Sequence, residues 1–172
     1  MSQTMLYSSA EQRAKTVSFT GHRTYRGEGD EELRTIVYYL YEQGYRRFLC
    51  GMAWGFDLAA GRMVAELKSS FDDVELIAVE PFERFSELFS GEDVVLYEDI
   101  MGVASDRVVA SDEEGVGAYM RRNDFLVDNA SVVVAWWDGK PRSGTAYTVK
   151  RARKQHLEVV NIYPKTQLEL EF

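Results

Sequence analysis

Residues 48–60 read Phe48-Leu49-Cys50-Gly51-Met52-Ala53-Trp54-Gly55-Phe56-Asp57-Leu58-Ala59-Ala60. An apolar run meets a glycine-bounded turn, and a helix-compatible segment then opens with an acid. This is the pattern of a buried strand, a tight turn and a helix. Glycine permits positive φ and close backbone approach, and the helix dipole favours a carboxylate in the first turn. Such a turn aims unpaired N–H groups and the positive end of a helix at one point, which suits a phosphate or another anion. Gly51, Met52, Ala53 and Gly55 are the candidate N–H donors. Asp57 is the candidate acceptor of hydrogen bonds from a ribose or base. The turn is not G-x-G-x-x-G, so the ordinary dinucleotide fingerprint is not satisfied.

Working outward, the same alternation recurs. Thr16 to Thr20 is a β-branched strand, followed by a polar loop from Gly21 to Gly29 that holds His22, Arg23 and Arg26. Asp30 is placed to cap a helix whose apolar stripe is Leu33, Ile36, Val37, Leu40 and Tyr41, and Gly44 ends it. Val74 to Val79 reads as a central strand broken by Glu80-Pro81-Phe82. Residues 83–103 are mostly helical with a break near Gly91. Then come a short strand at Arg107 to Ala110, a helix from Val116 to Asn129, a strand from Ser131 to Trp137, a helix from Thr145 to Lys154 and a strand from Leu157 to Ile162. Alternating strands and helices predict an α/β, Rossmann-like fold: a mostly parallel sheet with helices on both faces. One domain over 15–164 is expected, with poorly ordered tails at 1–14 and 165–172.

The chain has 172 residues, a formal net charge of −8, two His and one Cys. Its length suffices for a sizeable core. The acidic balance makes a broad duplex-DNA surface an unfavourable reading, since that binding relies on neutralising many phosphates. A small anionic ligand needs only a locally positive pocket. No Cys and His spacing resembles a zinc site, and no metal site is expected. The single Cys50 rules out an internal disulfide framework and reads as a buried, inert thiol. The longest apolar run is too short for a membrane span, and no signal peptide is visible; together these favour the cytoplasm.

In sheets of this kind ligands bind beyond the carboxyl ends of the strands. Gly21, His22 and Arg23 follow the first strand directly, and an arginine there can pair bidentately with phosphate. Ser143, Gly144 and Thr145 open the last helix, where they can cap it or contact phosphate oxygens. Glu80 ends the third strand. Trp136 and Trp137 read chiefly as packing residues, and the adjacent carboxylate pairs as solvated faces.

Thr20-Gly21-His22-Arg23, then Gly51-Met52-Ala53-Trp54-Gly55-Phe56-Asp57, then Glu80-Pro81-Phe82, then Arg122-Asn123 with Leu126-Val127-Asp128, then Ser143-Gly144-Thr145 occur in the order that resembles the YpsA-type branch of the SLOG superfamily. The resemblance covers roughly residues 16–163. It implies a Rossmann-like fold that binds nucleotides or nucleotide-derived ligands, without a required cofactor, and adds Arg122 and Asn123 to the candidate pocket. The implied partner is a small phosphorylated ligand, bound for sensing; relatives in the superfamily often dimerise, so a homodimer is also implied. Two relatives imply alternatives. The LOG phosphoribohydrolases cleave N-glycosides with a P-G-G-x-G-T-x-x-E glutamate, whose position falls on Thr148 here. The DNA-processing protein DprA shares the G-x-A-x-G-x-D pattern and implies single-stranded nucleic-acid binding.

Overall fold

In the computed structural model, residues 7–165 are described. The elements run α1 (Ala10–Arg13), β1 (Thr16–Gly21), α2 (Asp30–Glu42), β2 (Arg47–Cys50), α3 (Phe56–Ser70), β3 (Glu75–Glu80), a 3-10 turn (Phe85–Leu88), α4 (Glu92–Val103), β4 (Asp106–Val109), α5 (Val116–Asp128), β5 (Val132–Trp136), α6 (Gly144–Lys154) and β6 (Glu158–Asn161). Every strand pair is parallel, and the sheet order is β4-β3-β2-β1-β5-β6. This is the Rossmann-like α/β sheet expected from the alternating pattern.

Strand side chains alternate between faces, so β2 sends Phe48 and Cys50 to one side and Leu49 to the other. The first side is the larger core, where Val17, Phe19, Phe48 and Leu76 meet Leu33 and Val37 of α2 and Met63 and Val64 of α3. On the opposite face Leu49, Ile77 and Val79 pack on Leu126 of α5, and Val133 packs on Ala152 of α6. Both faces are covered, which is why β5 reads as an unbroken buried run, Val132 to Trp136.

Local differences have local causes. Asp30 stands one place inside α2 rather than at its cap; Gly29 holds the cap position and the Asp30 carboxylate accepts from the Tyr25 hydroxyl at 2.6 Å. The break near Gly91 is real, with Gly91 at φ +59 between the 3-10 turn and α4. Within the stretch expected to be a poorly ordered tail, α1 carries a capping box: Ser9 accepts from the Gln12 N–H, and the Gln12 side chain accepts from the Ser9 N–H. Ser8, fully buried, donates its N–H to Asn129 Oδ1 at 3.0 Å and accepts from Arg47 Nη1 at 2.8 Å. Residues 1–6 and 166–172 of the two expected tails lie outside the described residues.

Candidate functional site

The chain winds from β1 toward β2 on one side of the sheet and from β5 toward β6 on the other, while β1 and β5 are direct neighbours. That reversal opens a crevice beyond their carboxyl ends, the place where doubly wound sheets take ligands. A cavity of about 500 Å³ occupies it. Gly21, His22 and Arg23 line it from the end of β1. Ala53 and Asp57 line it from the turn into α3, Arg122 and Asn123 from α5, and Ser143, Gly144 and Thr145 from the start of α6.

The β1 end is shaped by packing. A Cβ at Gly21 would lie 2.4 Å from the Phe56 ring, so only glycine lets β1 end against α3. His22 Nε2 accepts from the Asp138 N–H at 3.1 Å and stands 3.2 Å from Asp138 Oδ1, tying the loop after β1 to the loop after β5.

The glycine turn at 51–57 is positioned differently from its sequence reading. The Ala53 N–H is taken by Asp57 Oδ2 at 3.3 Å, and the Phe56 N–H by the His22 carbonyl at 3.3 Å. The Gly51 carbonyl accepts from Arg122 Nη1. Met52 is fully buried with φ +65, and Gly55 has φ +84. Of the four candidate donors only Ala53 reaches the cavity; Gly51, Met52 and Gly55 lie behind it. Asp57 of α3, the loop after β1 and Arg122 of α5 each take a polar group of the turn, which so forms a wall of the cavity rather than an open cradle.

Glu80 is not brought to the cavity either. It ends β3, separated from β1 by β2, and so faces the other end of the sheet edge. Fully buried, it accepts from Arg107 Nε at 2.9 Å and Nη2 at 2.6 Å and from the Tyr97 hydroxyl. It therefore anchors α4 and β4. Trp136 packs edge-on to Tyr25 at 4.9 Å, and Trp137 donates its indole N–H to the Lys140 carbonyl at 2.9 Å; neither lines the cavity. Cys50 is buried, and burial pushes its thiol well above the ordinary range.

At the opposite wall Ser143 caps α6, its Oγ accepting from the Ala146 N–H at 3.0 Å. Thr145 and Asn123 are 6% and 8% exposed and face the cavity. Asn123 Oδ1 accepts from Arg122 Nε at 2.9 Å, and its amide nitrogen has no hydrogen-bond partner among the described residues. Thr148, one turn further on, is fully buried and donates its hydroxyl to the Gly144 carbonyl at 2.9 Å, away from the cavity.

The electrostatics of the cavity oppose those of the chain. Arg23, Arg122, Lys140 and Arg142 line it against Asp57 and Asp138, in a protein of net charge −8. Asp57 is pushed up to about 6 by burial, an effect that Arg122, the Ala53 N–H and Arg23 only partly oppose. Burial holds Arg122 below its ordinary value. Arg23 and Arg142 are exposed and have no carboxylate within ion-pair distance among the described residues. Tyr119 and Lys140 line the site without having been among the candidate residues. Tyr119 was within reach of helical spacing, three residues before Arg122 on the same face of α5.

Among the described residues no cluster of His, Cys, Asp and Glu is arranged to hold a metal ion, and no helix is long and apolar enough to cross a membrane.

The profile of the YspA SLOG family matches residues 30–170. The SPbeta prophage-derived protein YoqJ of Bacillus subtilis is 26% identical over 157 residues, covering 83% of this chain and 91% of that protein. A UPF0398 protein of Staphylococcus epidermidis is 23% identical over 146 residues, covering 77% and 78%. Among solved structures, DNA processing protein A (DprA) from Streptococcus pneumoniae matches with a TM-score of 0.64 at 18% identity, over 92% of this chain and 53% of that one. This chain thus spans about half the length of that protein. DNA processing protein A from Helicobacter pylori, described for its single-stranded DNA binding mode, matches at 0.64 and 17% identity, over 94% and 71%. At these identities the structural likeness establishes a shared fold.

Proposed function

The chain belongs to the YspA SLOG family, and from that premise we propose that it binds a nucleotide or nucleotide-derived phosphorylated ligand in the cavity between β1 and β5. One observation carries this reading: four cationic side chains and the N-terminal end of α6 converge on one cavity of an otherwise acidic protein. Phosphate would rest against Gly144 and Thr145, where the helix dipole favours an anion. Asn123 would donate its free amide, and Arg23 and Arg142 would supply neutralising charge. Asp57 would accept from a ribose hydroxyl or a base N–H. A ligand that binds only the folded state raises its stability. A thermal-shift series with AMP, ADP and cyclic nucleotides is therefore expected to raise the Tm, and Arg142→Ala to blunt the rise. A flat response across the series refutes the reading.

The likeness to the Helicobacter pylori protein supports a second reading, in which the same phosphate and sugar belong to the end of a DNA single strand. A gel shift with a short oligonucleotide across a salt series separates the two, because strand binding falls steeply with salt. For N-glycoside cleavage, Asp57 is the buried carboxyl that lines the cavity. Release of free base from bound nucleotide would identify that activity.

A further inference from the structure

Arg23 lies over two aromatic rings, where Arg46 and Arg153 each lie over one. Its guanidinium carbon lies 4.3 Å from the centroid of the Trp54 ring and 5.0 Å from that of Tyr119. Neither ring is free to drift. Trp54 lies nearly parallel to Phe85, at 6.5 Å and 11°, and edge-on to Phe89 at 6.1 Å. Tyr119 meets Phe82 at 5.8 Å and Phe85 at 6.0 Å, both edge-on. The backbone is fitted to the same end. A Cβ at Gly55 would lie 2.5 Å from the Arg23 carbonyl oxygen, so the turn carrying Trp54 can close on Arg23 only with glycine there.

We propose that Trp54 and Tyr119 are positioning residues that hold the Arg23 guanidinium as a preformed hook for an anionic ligand group. The proposal rests on the reading of the cavity as a phosphate-binding site. A carboxylate partner would cancel the charge and occupy N–H donors. An aromatic face attracts the cation through its quadrupole and leaves the in-plane donors available. Arg23 is thereby oriented in advance, and less side-chain freedom is lost when a ligand binds. Tyr119 also lies 5.9 Å from the Arg122 guanidinium carbon, so two like charges share one ring, and an anion between them relieves their repulsion. The turn at residues 51–57 thus contributes to anion binding through the side chain of Trp54 and the missing Cβ of Gly55.

Titration calorimetry with ADP and inorganic pyrophosphate tests this, on variants whose folding is checked by circular dichroism. Trp54→Leu and Tyr119→Leu are each expected to weaken binding by about tenfold. Tyr119→Phe keeps the ring face and should bind like the parent. In an Arg23→Ala background, removal of either ring should change affinity by no more than about twofold, because the interaction it served is already gone. Equal losses with and without Arg23 would show that the rings act independently of it and overturn the proposal, as would unchanged affinity in both ring variants. Should Trp54→Leu fail to fold, the Tyr119→Leu and Tyr119→Phe pair decides the matter alone. Parent protein that binds neither probe overturns the phosphate-site reading and this proposal with it. Parent protein that binds while both ring variants match it overturns this proposal only.

Discussion

The Arg122 guanidinium lies 3.9 Å from the Asp57 carboxylate, and both side chains are almost wholly buried against the cavity. The distance is that of a loose ion pair. The shorter partners of Arg122 are the Gly51 carbonyl and Asn123 Oδ1, so this one side chain joins the turn after β2 to the cavity-facing side of α5. Removing one member of a buried charged network strands the others without partners.

Arg122→Met is accordingly expected to destabilise the fold by about 3–5 kcal/mol. The Asp57→Leu and Arg122→Met double variant should recover part of that loss, since no unpaired buried carboxylate remains. Urea denaturation of the two variants and the parent checks this.

Asp57 also makes stability depend on pH. Its carboxyl titrates near 6 in the folded protein, against an ordinary value of 3.8. Between these values the folded state binds the extra proton. The stabilisation from Asp57 is therefore fully present below the lower value and is lost as pH rises through the upper one. Asp57→Asn is expected to gain on the parent as pH increases from about 4 to 7, by about 1.4 kcal/mol for each unit between the two values. Denaturation midpoints across that range would show it, and parallel curves for the two proteins would contradict it.

Two glycines at positive φ differ in what surrounds them, and Gly55 adds a ψ of −125 that side-chain-bearing residues avoid. Gly55 and Gly139 both sit at φ +84, but an added Cβ at Gly139 meets nothing within 4 Å, whereas at Gly55 it meets the Arg23 backbone. Gly139→Ala should cost about 1 kcal/mol, the penalty of a positive φ without crowding. Gly55→Ala should cost clearly more and also lower affinity for ADP, because Arg23 must move. Thermal denaturation and calorimetry on both variants measure the contrast.

At the other wall, capping and ligand binding can be pulled apart. Ser143→Ala removes the hydroxyl that accepts from the Ala146 N–H and should cost about 1 kcal/mol of stability. Arg142→Ala removes an exposed charge and should leave the Tm within about a degree of the parent. The same variant should weaken ADP binding and reduce its salt dependence, which calorimetry at two ionic strengths would reveal.

Strand and helix placement was largely legible because it depends on short-range patterns. The β-branched run at Thr16 and the apolar run at Val132 are buried on both faces of the sheet, and the stripe from Leu33 to Leu40 buries one face of its helix. The site was legible in part. Arg23, Asp57 and the Ser143 to Thr145 turn do meet in one cavity, because each stands at or just beyond the carboxyl end of a strand beside the switch point. Glu80 fitted the same description, yet its strand lies on the far side of β2, a matter of strand order that no local pattern encodes. Tyr119 and Lys140 gave no signal beyond an ordinary helix and an ordinary turn.

By itself the sequence determined an acidic chain with alternating strands and helices, parallel by the rule of the βαβ crossover, and with glycines where strands pass into loops. Only the tertiary structure decided what those glycines do. Whether an N–H in a turn is open to a ligand depends on which acceptors lie near it, and at residues 51–57 the nearest are the Asp57 carboxylate and the His22 carbonyl. The pairing of Arg23 with Trp54 and Tyr119 likewise joins three separate elements. Contacts of that kind arise when the sheet brings distant loops to one edge, and so they are absent from any window of sequence.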